Sequence, residues 1–510
     1  MPAPTPRLPL PAWTASAPAD LLVIGGGATG LGIALQAALE GRRVALVEAL
    51  DFASGTSSRS TKLLHGGVRY LAQGRLGLVR EALRERTTVM GLAPHLAQPL
   101  SFQVRTRGAF DRARLAVGLR AYDWLAGRHR IGRTERVDGA LRYWDGQFED
   151  ARLALALARS AAQAGAQLRN HTRVVGLEPS AEGWQARLLD ELDGTQATLQ
   201  ARVVVNATGV WVDDVRQAAL ARLGGDCAPL VRPSQGIHLV VPRERLPLKE
   251  AVLVPRTEDG RVLFALPWLG ATVIGTTDTP RDEVQVEPQP LREEVAFLLR
   301  ETHRALGVKL QPQDVRSVWA GLRPLVSPPS NAGGATSGVS REHTVLRDAD
   351  GLFTVTGGKW TTYRSIAADV LQHMERQADL PTASVQANTE QHRLVGAPAA
   401  DAEGAAMHSV SDAPGLHLWG AEAEAVQQLP GPQNHLGMGL TEAMVRFAAR
   451  SEWALTVEDM LARRWRALFL DARQAARMAP AVATLLQEET GLDPQLDAFL
   501  RLCEQYQLKA

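Results

Sequence analysis

The first strongly patterned stretch is apolar LLVI at 21–24, followed by GGGATG, the helix-period run LGIALQAALEG and a second apolar run, VALVE, at 44–48. Two short buried strands around a helix are predicted, a β-α-β unit. LGLVREALRERTTVMGLA at 76–93 carries apolar positions at helical spacing and runs toward Pro94, so it predicts an amphipathic helix. DARLALALARSAAQAG at 150–165 predicts another, ended by Gly165. Strand-like RVVGLE, alternating WQARLLDEL and apolar VVVNATG follow. Between about Pro229 and Ser340 the pattern shortens to GIHLVVP, AVLVP, RVLFALPWLG and ATVIGTT, separated by Pro and Gly, as an antiparallel sheet reads. FTVTGG at 353–358 and KWTTYRSIAADVLQHM return to strand, turn and helix. Beyond about 385 the strand signal fades, and 442–489 reads as several helices.

The pattern divides the chain into an extended, disordered Pro-rich lead at 1–18, a discontinuous nucleotide-binding domain at 19–385, and a helical domain at 390–510. Inserted in the middle one is a substrate domain, about 75–145 and 229–342. A length of 510 residues fits two or three domains at about 150 residues each. The 56 basic residues against 55 acidic ones leave a net charge of +1, which removes the electrostatic case for nucleic acid. Cys227 and Cys503 are the only cysteines, so a disulfide framework, a thiolate zinc site and an iron–sulfur cluster are disfavoured and a reducing cytoplasm fits. No HExxH or clustered carboxylates mark a metal site, and no apolar run of eighteen residues marks a spanning helix.

The chemistry begins at Gly25-x-Gly27-x-x-Gly30. Gly25 permits the tight turn out of the strand, Gly27 lets backbone approach a pyrophosphate, and Gly30 lets the helix pack on the sheet. The helix N-terminus faces the phosphates, and Glu48 at the end of the second strand is placed to accept hydrogen bonds from a ribose. This fingerprint does not separate NAD from FAD.

Eight ordered segments resemble the FAD-dependent glycerol-3-phosphate dehydrogenase family over nearly the whole chain: GGGATGLGIA at 25–34, GTSSRSTKLLHGGVRYL at 55–71, YWDGQFEDARL at 143–153, VNATGVWVD at 205–213, GIHLVVP at 236–242, GRVLFALPWLGATVIGTTDT at 260–279, AGLRPL at 320–325 and TGGKWTTYR at 356–364. EDMLARRWRALFLD at 458–471 is similar to the family's additional helical domain. The resemblance implies an α/β fold: a glutathione-reductase-type FAD-binding Rossmann domain, a mainly antiparallel, amino-acid-oxidase-like substrate domain and an α-helical C-terminal domain. It also implies FAD as cofactor. Thr56, Ser57, Ser58 and Lys62 then stand where they reach the pyrophosphate and flavin, Val174 meets the adenine, and Gly209 makes the turn beside the nucleotide. Gly357, Gly358 and Thr361, ahead of a helix, hold the flavin pyrimidine edge.

The implied reaction oxidises sn-glycerol 3-phosphate to dihydroxyacetone phosphate, with hydride passing from C2 to flavin N5. Such a site needs fixed cations for the phosphate and an acceptor for the hydroxyl proton. The resemblance assigns Arg323 and Arg69 with Tyr70 to the substrate, and Lys359 to a place between flavin and substrate, where it holds a water, the phosphate or the developing oxyanion. His238 is the candidate base, while His65 and His343 rank below it.

Within the family, dehydrogenases reduce a membrane quinone and oxidases reduce oxygen. The oxidase branch carries an inserted segment, and no extra block separates the motifs at 279 and 320, which favours the quinone. DRARLAVGLRAYDWLAGRHRIGR at 111–133 interleaves six arginines with Leu115, Leu119, Tyr122, Trp124, Leu125 and Ile131. That segment suits the anionic inner face of a cell membrane, or equally a helix packed on the body. Competing readings are a glycerol-3-phosphate oxidase, an amino acid or 2-hydroxy acid oxidase of the same fold, and a non-catalytic FAD-binding scaffold. A homodimer is left open.

Overall fold

The computed structural model describes residues 7–508 except 16, 72–73, 107, 222–226, 327–342, 378, 384 and 400–407, and leaves out the Arg69 side chain. Two sheets carry the molecule. In the first, Ala19–Ile24 lies between Gln196–Asn206 and Val44–Val47, all parallel, and Gln167–Arg169 and Phe353–Gly357 extend it on either side. These strands are almost wholly apolar because helices cover them. Helix Ala28–Leu39 starts directly after the glycine turn and packs between helices Asp150–Gln163 and Tyr363–Arg376. Gly30 lets the helix sit close on the glycine turn, where a β-carbon would strike the Gly25 carbonyl, and Gly32 lets helix Tyr363–Arg376 approach, since a β-carbon there would come within 2.8 Å of the Tyr363 ring.

The second sheet is antiparallel except where Ala251–Val254 runs parallel to Ala97–Val104. It joins Ala97–Val104 and Ala140–Phe148, from early in the chain, to Val231–Pro242, Leu263–Trp268, Ala271–Gly275 and Ser317–Val326. One register matters most. His238 pairs with Trp319 and with Gly275, and Ser234 pairs with Arg323. Residues opposite one another in an antiparallel pair point to the same face, and the side-chain period is two. His238, Gly236, Ser234, Trp319, Gly321 and Arg323 therefore share one face.

The C-terminal part is helical, with Glu442–Ser451, Ala472–Thr490 and Leu496–Gln505 around buried Met444, Phe447, Trp465, Met478 and Phe499. It is fastened to the nucleotide-binding half by buried ions. Asp51, just beyond strand Val44–Val47, accepts from Arg463 and Arg464, and His171 pairs with Asp459 at 2.9 Å. Asp51, His171 and Asp459 bring ligand-type atoms within 4.8 Å of one another. The two guanidiniums already supply the positive charge such a trio would ask of a cation.

The Pro-rich lead differs from the extended segment expected. Leu10–Thr14 forms a short helix with Pro11 in its first turn, and Leu10 and Trp13 are buried against Leu22, Trp184 and Leu199. Burying those two side chains outweighs the bias of proline toward extended backbone.

Candidate active site

A cavity of about 1260 Å³ runs from the glycine turn to the shared face of the second sheet. At one end Gly25, Gly27, Glu48, Val174 and Gly209 line it, and Thr56, Ser57, Gly357, Gly358 and Thr361 continue the wall. Gly25 has φ +110°, and a β-carbon there would lie 2.6 Å from the Ala207 carbonyl oxygen. Glu48 is half-buried in the wall, and its desolvation there raises the carboxyl pKa. Its two oxygens accept from Gly26 N at 2.6 Å and Leu50 N at 2.9 Å, which fixes it in the wall. The Ser57 hydroxyl accepts from Ala28 N at 2.9 Å, tying the loop to the helix N-terminus, while Thr56 donates to the Leu322 carbonyl at 2.6 Å.

Two expected cofactor residues are elsewhere. Ser58 and Lys62 are buried beneath this wall and do not line the cavity. Lys62 Nζ donates to Asp150 at 2.7 Å and to the Ser58 carbonyl at 2.8 Å, and it sits 4.7 Å from the Trp319 ring centre. Burial brings its pKa down to about 7 against the pull of Asp150. The positive φ of Lys62, +64°, directs the chain so that the ammonium turns inward and braces the loop. Arg466, from the C-terminal part, donates to the same Ser58 carbonyl at 2.6 Å.

At the other end His238 and Arg323 reach the cavity from neighbouring strands. His238 is buried and stacked on Trp319, with ring centres 4.2 Å apart. Its Nε2 is 3.0 Å from the Thr61 hydroxyl, and its buried Nδ1 has no hydrogen-bond partner among the described residues. Gly275 leaves the ring room, since a β-carbon there would collide with it. Burial, and then the charges of Lys62 and Arg323, push its pKa well below the ordinary histidine value, so the imidazole is neutral. Arg323 donates to the Thr276 hydroxyl and the Thr277 carbonyl, each at 3.1 Å, with Asp278 at 3.5 Å. Asp278 in turn accepts from Ser234.

Lys359 and Tyr70 stand together on the wall, the ammonium 3.9 Å from the centre of the phenol ring. Arg69 belongs to helix Val68–Leu71, but its side chain lies outside the described residues. His65 also lines the cavity, whereas His343 pairs with Asp369 at 2.8 Å and does not. Thr61, Thr276, Thr277, Asp278 and Trp319 were given no role from the sequence. Only the strand register brings Thr276 and Trp319 beside His238 and Arg323; the hydroxyl-rich GTTDT run was the one visible signal.

Residues 20–364 match the FAD-dependent oxidoreductase family model, and residues 387–496 match the C-terminal domain of alpha-glycerophosphate oxidase. The chain is 37% identical to the mitochondrial glycerol-3-phosphate dehydrogenase of Arabidopsis thaliana, covering 94% of this chain and 84% of that one. It belongs to the FAD-dependent glycerol-3-phosphate dehydrogenase family. The human mitochondrial glycerol-3-phosphate dehydrogenase is 35% identical, over 93% of this chain and 71% of its own. The glycerol-3-phosphate dehydrogenase of Bacillus halodurans, solved with FAD, superposes with a TM-score of 0.74 at 28% identity, covering 96% and 95% of the two chains.

FAD is the cofactor of this family member, and the cavity fits it. The glycines at 25 and 27 leave backbone where a dinucleotide must come close, and the first turn of helix Ala28–Leu39 opens onto the wall. Gly25, Gly27, Glu48, Thr56, Ser57, Val174, Gly209, Gly358 and Thr361 are the residues of the expected set that would hold it.

Proposed function

We propose that this protein oxidises sn-glycerol 3-phosphate to dihydroxyacetone phosphate and passes the electrons to a membrane quinone. The observation that carries the reading is a fixed cation and a neutral imidazole on one sheet face: Arg323, oriented by Thr276, Thr277 and Asp278, and His238, held flat on Trp319. Arg323 binds the phosphate through its planar fork. The neutral imidazole of His238, with the Thr61 hydroxyl at its Nε2, takes the proton of the C2 hydroxyl as the carbonyl forms. Lys359, against Tyr70, supplies a second positive charge to the substrate's phosphate. Bound FAD supplies the two-electron acceptor. The decisive experiment is anaerobic addition of glycerol 3-phosphate to the holoenzyme while following absorbance near about 450 nm, characteristic of oxidised flavin. Bleaching that quinone analogues reverse faster than oxygen is expected; no bleaching with FAD bound would reject the substrate.

The acceptor reading gains support from helix Ala109–Ala126. Most of the apolar residues in this segment face the body: Leu119 and Tyr122 are buried, and Leu115, Leu125 and Ile131 pack against the core. Phe110, Val117 and Trp124 instead point to solvent, 82%, 69% and 73% exposed, at seven-residue spacing and so along one stripe. Exposed Arg114, Arg120 and Arg128 flank it. Apolar side chains between arginines suit the surface of an anionic bilayer, and the same helix borders the cavity through Leu115 and Leu119. No helix among the described residues is long and apolar enough to cross a membrane. Phe110→Ser combined with Trp124→Ser is expected to weaken binding to phosphatidylglycerol vesicles about tenfold or more. Unchanged co-sedimentation would reject the surface.

A further inference from the structure

We propose that Asp145 is a positioning residue for substrate capture, clamping the Gly66-Gly67 turn and through it setting Tyr70 and Lys359 on the cavity wall. The inference rests on the reading that this cavity takes glycerol 3-phosphate. Asp145 lies on strand Ala140–Phe148, borders the cavity while almost wholly buried, and has its carboxylate shared by three separate elements. Tyr122 does not line the cavity, so a change there separates the clamp from direct contact with substrate. Oδ1 accepts from Arg86 Nη1 of helix Leu76–Leu92 at 3.0 Å and from Gly66 N at 3.2 Å. Oδ2 accepts from the Tyr122 hydroxyl of helix Ala109–Ala126 at 2.9 Å. The Gly146 amide completes the set at 3.2 Å.

The turn it grips is packed on both sides. A β-carbon at Gly66 would strike the Tyr122 hydroxyl, and one at Gly67, where φ is +80°, would come within 2.5 Å of the Tyr70 ring and 3.4 Å of Lys359 Nζ. Contacts therefore run without a gap from Tyr122 through Asp145, Gly66, Gly67 and Tyr70 to Lys359. Packed interiors transmit such displacements because they hold few voids. A buried carboxylate is costly unless its acceptor capacity is filled, and here it is filled by the groups whose placement the site requires. Arg86 is fixed independently, donating to the His129 carbonyl at 2.9 Å, so the clamp has a rigid anchor.

The test is steady-state kinetics of Asp145→Asn and Tyr122→Phe holoenzymes with glycerol 3-phosphate and a soluble phenazine acceptor, alongside flavin content and melting. Asp145→Asn is expected to raise KM about tenfold and Tyr122→Phe several-fold, with kcat within about threefold of the parent. FAD content stays unchanged. A KM unaltered in both variants, or a fall in kcat that tracks loss of FAD, would overturn the clamp. If Asp145→Asn does not fold, Tyr122→Phe decides, since it keeps the ring and removes only the hydroxyl. A parent enzyme that glycerol 3-phosphate fails to reduce would instead reject the proposed substrate.

Discussion

His238→Gln lowers kcat by about 10²- to 10⁴-fold, the usual contribution of a positioned general base, with FAD still bound. Glutamine keeps a polar group near Thr61 and Trp319 but cannot take up a proton at working pH. FAD retention is expected because His238 lies at the sheet end of the cavity, away from the glycine turn. The parent enzyme carries a second signature. An ordinary histidine loses half its basic form at about pH 6.5, whereas His238 has its pKa pushed well below that by burial and by the charges of Lys62 and Arg323. The proposed base is then already unprotonated at pH 6.5, so kcat, measured with the substrate bound and free of its phosphate's own ionisation at about pH 6, shows no inflection there and falls only in more acid solution. The same shift acts on stability. Below about pH 6.5 the unfolded chain binds a proton at this position and the native protein does not, so the contribution is present above that pH and is lost as the solution is acidified. A pH profile with an inflection near 6.5 that His238→Gln abolishes would contradict the burial argument; a variant with parental kcat would remove the base assignment.

Asp51→Ala is expected to destabilise the holoenzyme by about 3–5 kcal/mol, the cost of leaving a buried partner charge uncompensated. Asp51 accepts from Arg463 and Arg464, with Arg464 Nη2 at 2.9 Å and the Asn170 side-chain amide at 3.0 Å. Both guanidiniums are buried, and Arg463 retains Asp459 at 2.9 Å while Arg464 keeps, among the described residues, only carbonyl partners. The consequence reaches the cofactor, because Glu48 and Leu50, which line the nucleotide end, immediately precede Asp51. Urea unfolding followed by flavin release is expected to show a lower midpoint, with release ahead of, or together with, loss of the helical domain. A midpoint equal to that of the parent would mean that the ion cluster adds nothing to the docking of the C-terminal part.

Local sequence was sufficient wherever the physics is local. The apolar runs at 21–24 and 44–47, the glycines between them and the helix that follows specify the dinucleotide turn, since strand burial, positive φ and helix start are decided within a few residues. Alternation with Pro and Gly punctuation marked the antiparallel sheet, and loss of that alternation marked the helical end. Motif order, through resemblance, supplied the family and FAD.

Tertiary structure alone decided what depends on pairing and burial. Register between strands distant in sequence puts His238 over Trp319 and opposite Gly275, and places Arg323 among Thr276, Thr277 and Asp278. Lys62 stands in a motif whose neighbours Ser57 and Thr61 line the cavity, yet its positive φ and Asp150 draw it into the interior. Leu10 and Trp13 fold back because apolar surface elsewhere needs covering. In the arginine-rich helix, composition shows an amphipathic segment but not which apolar residues face outward. Neighbouring elements bury Leu119 and Tyr122 and leave Phe110, Val117 and Trp124 exposed. A sequence records which side chains are available; which of them meet, and which lose their water, is set by contacts that close only when the two sheets and the C-terminal helices have packed together.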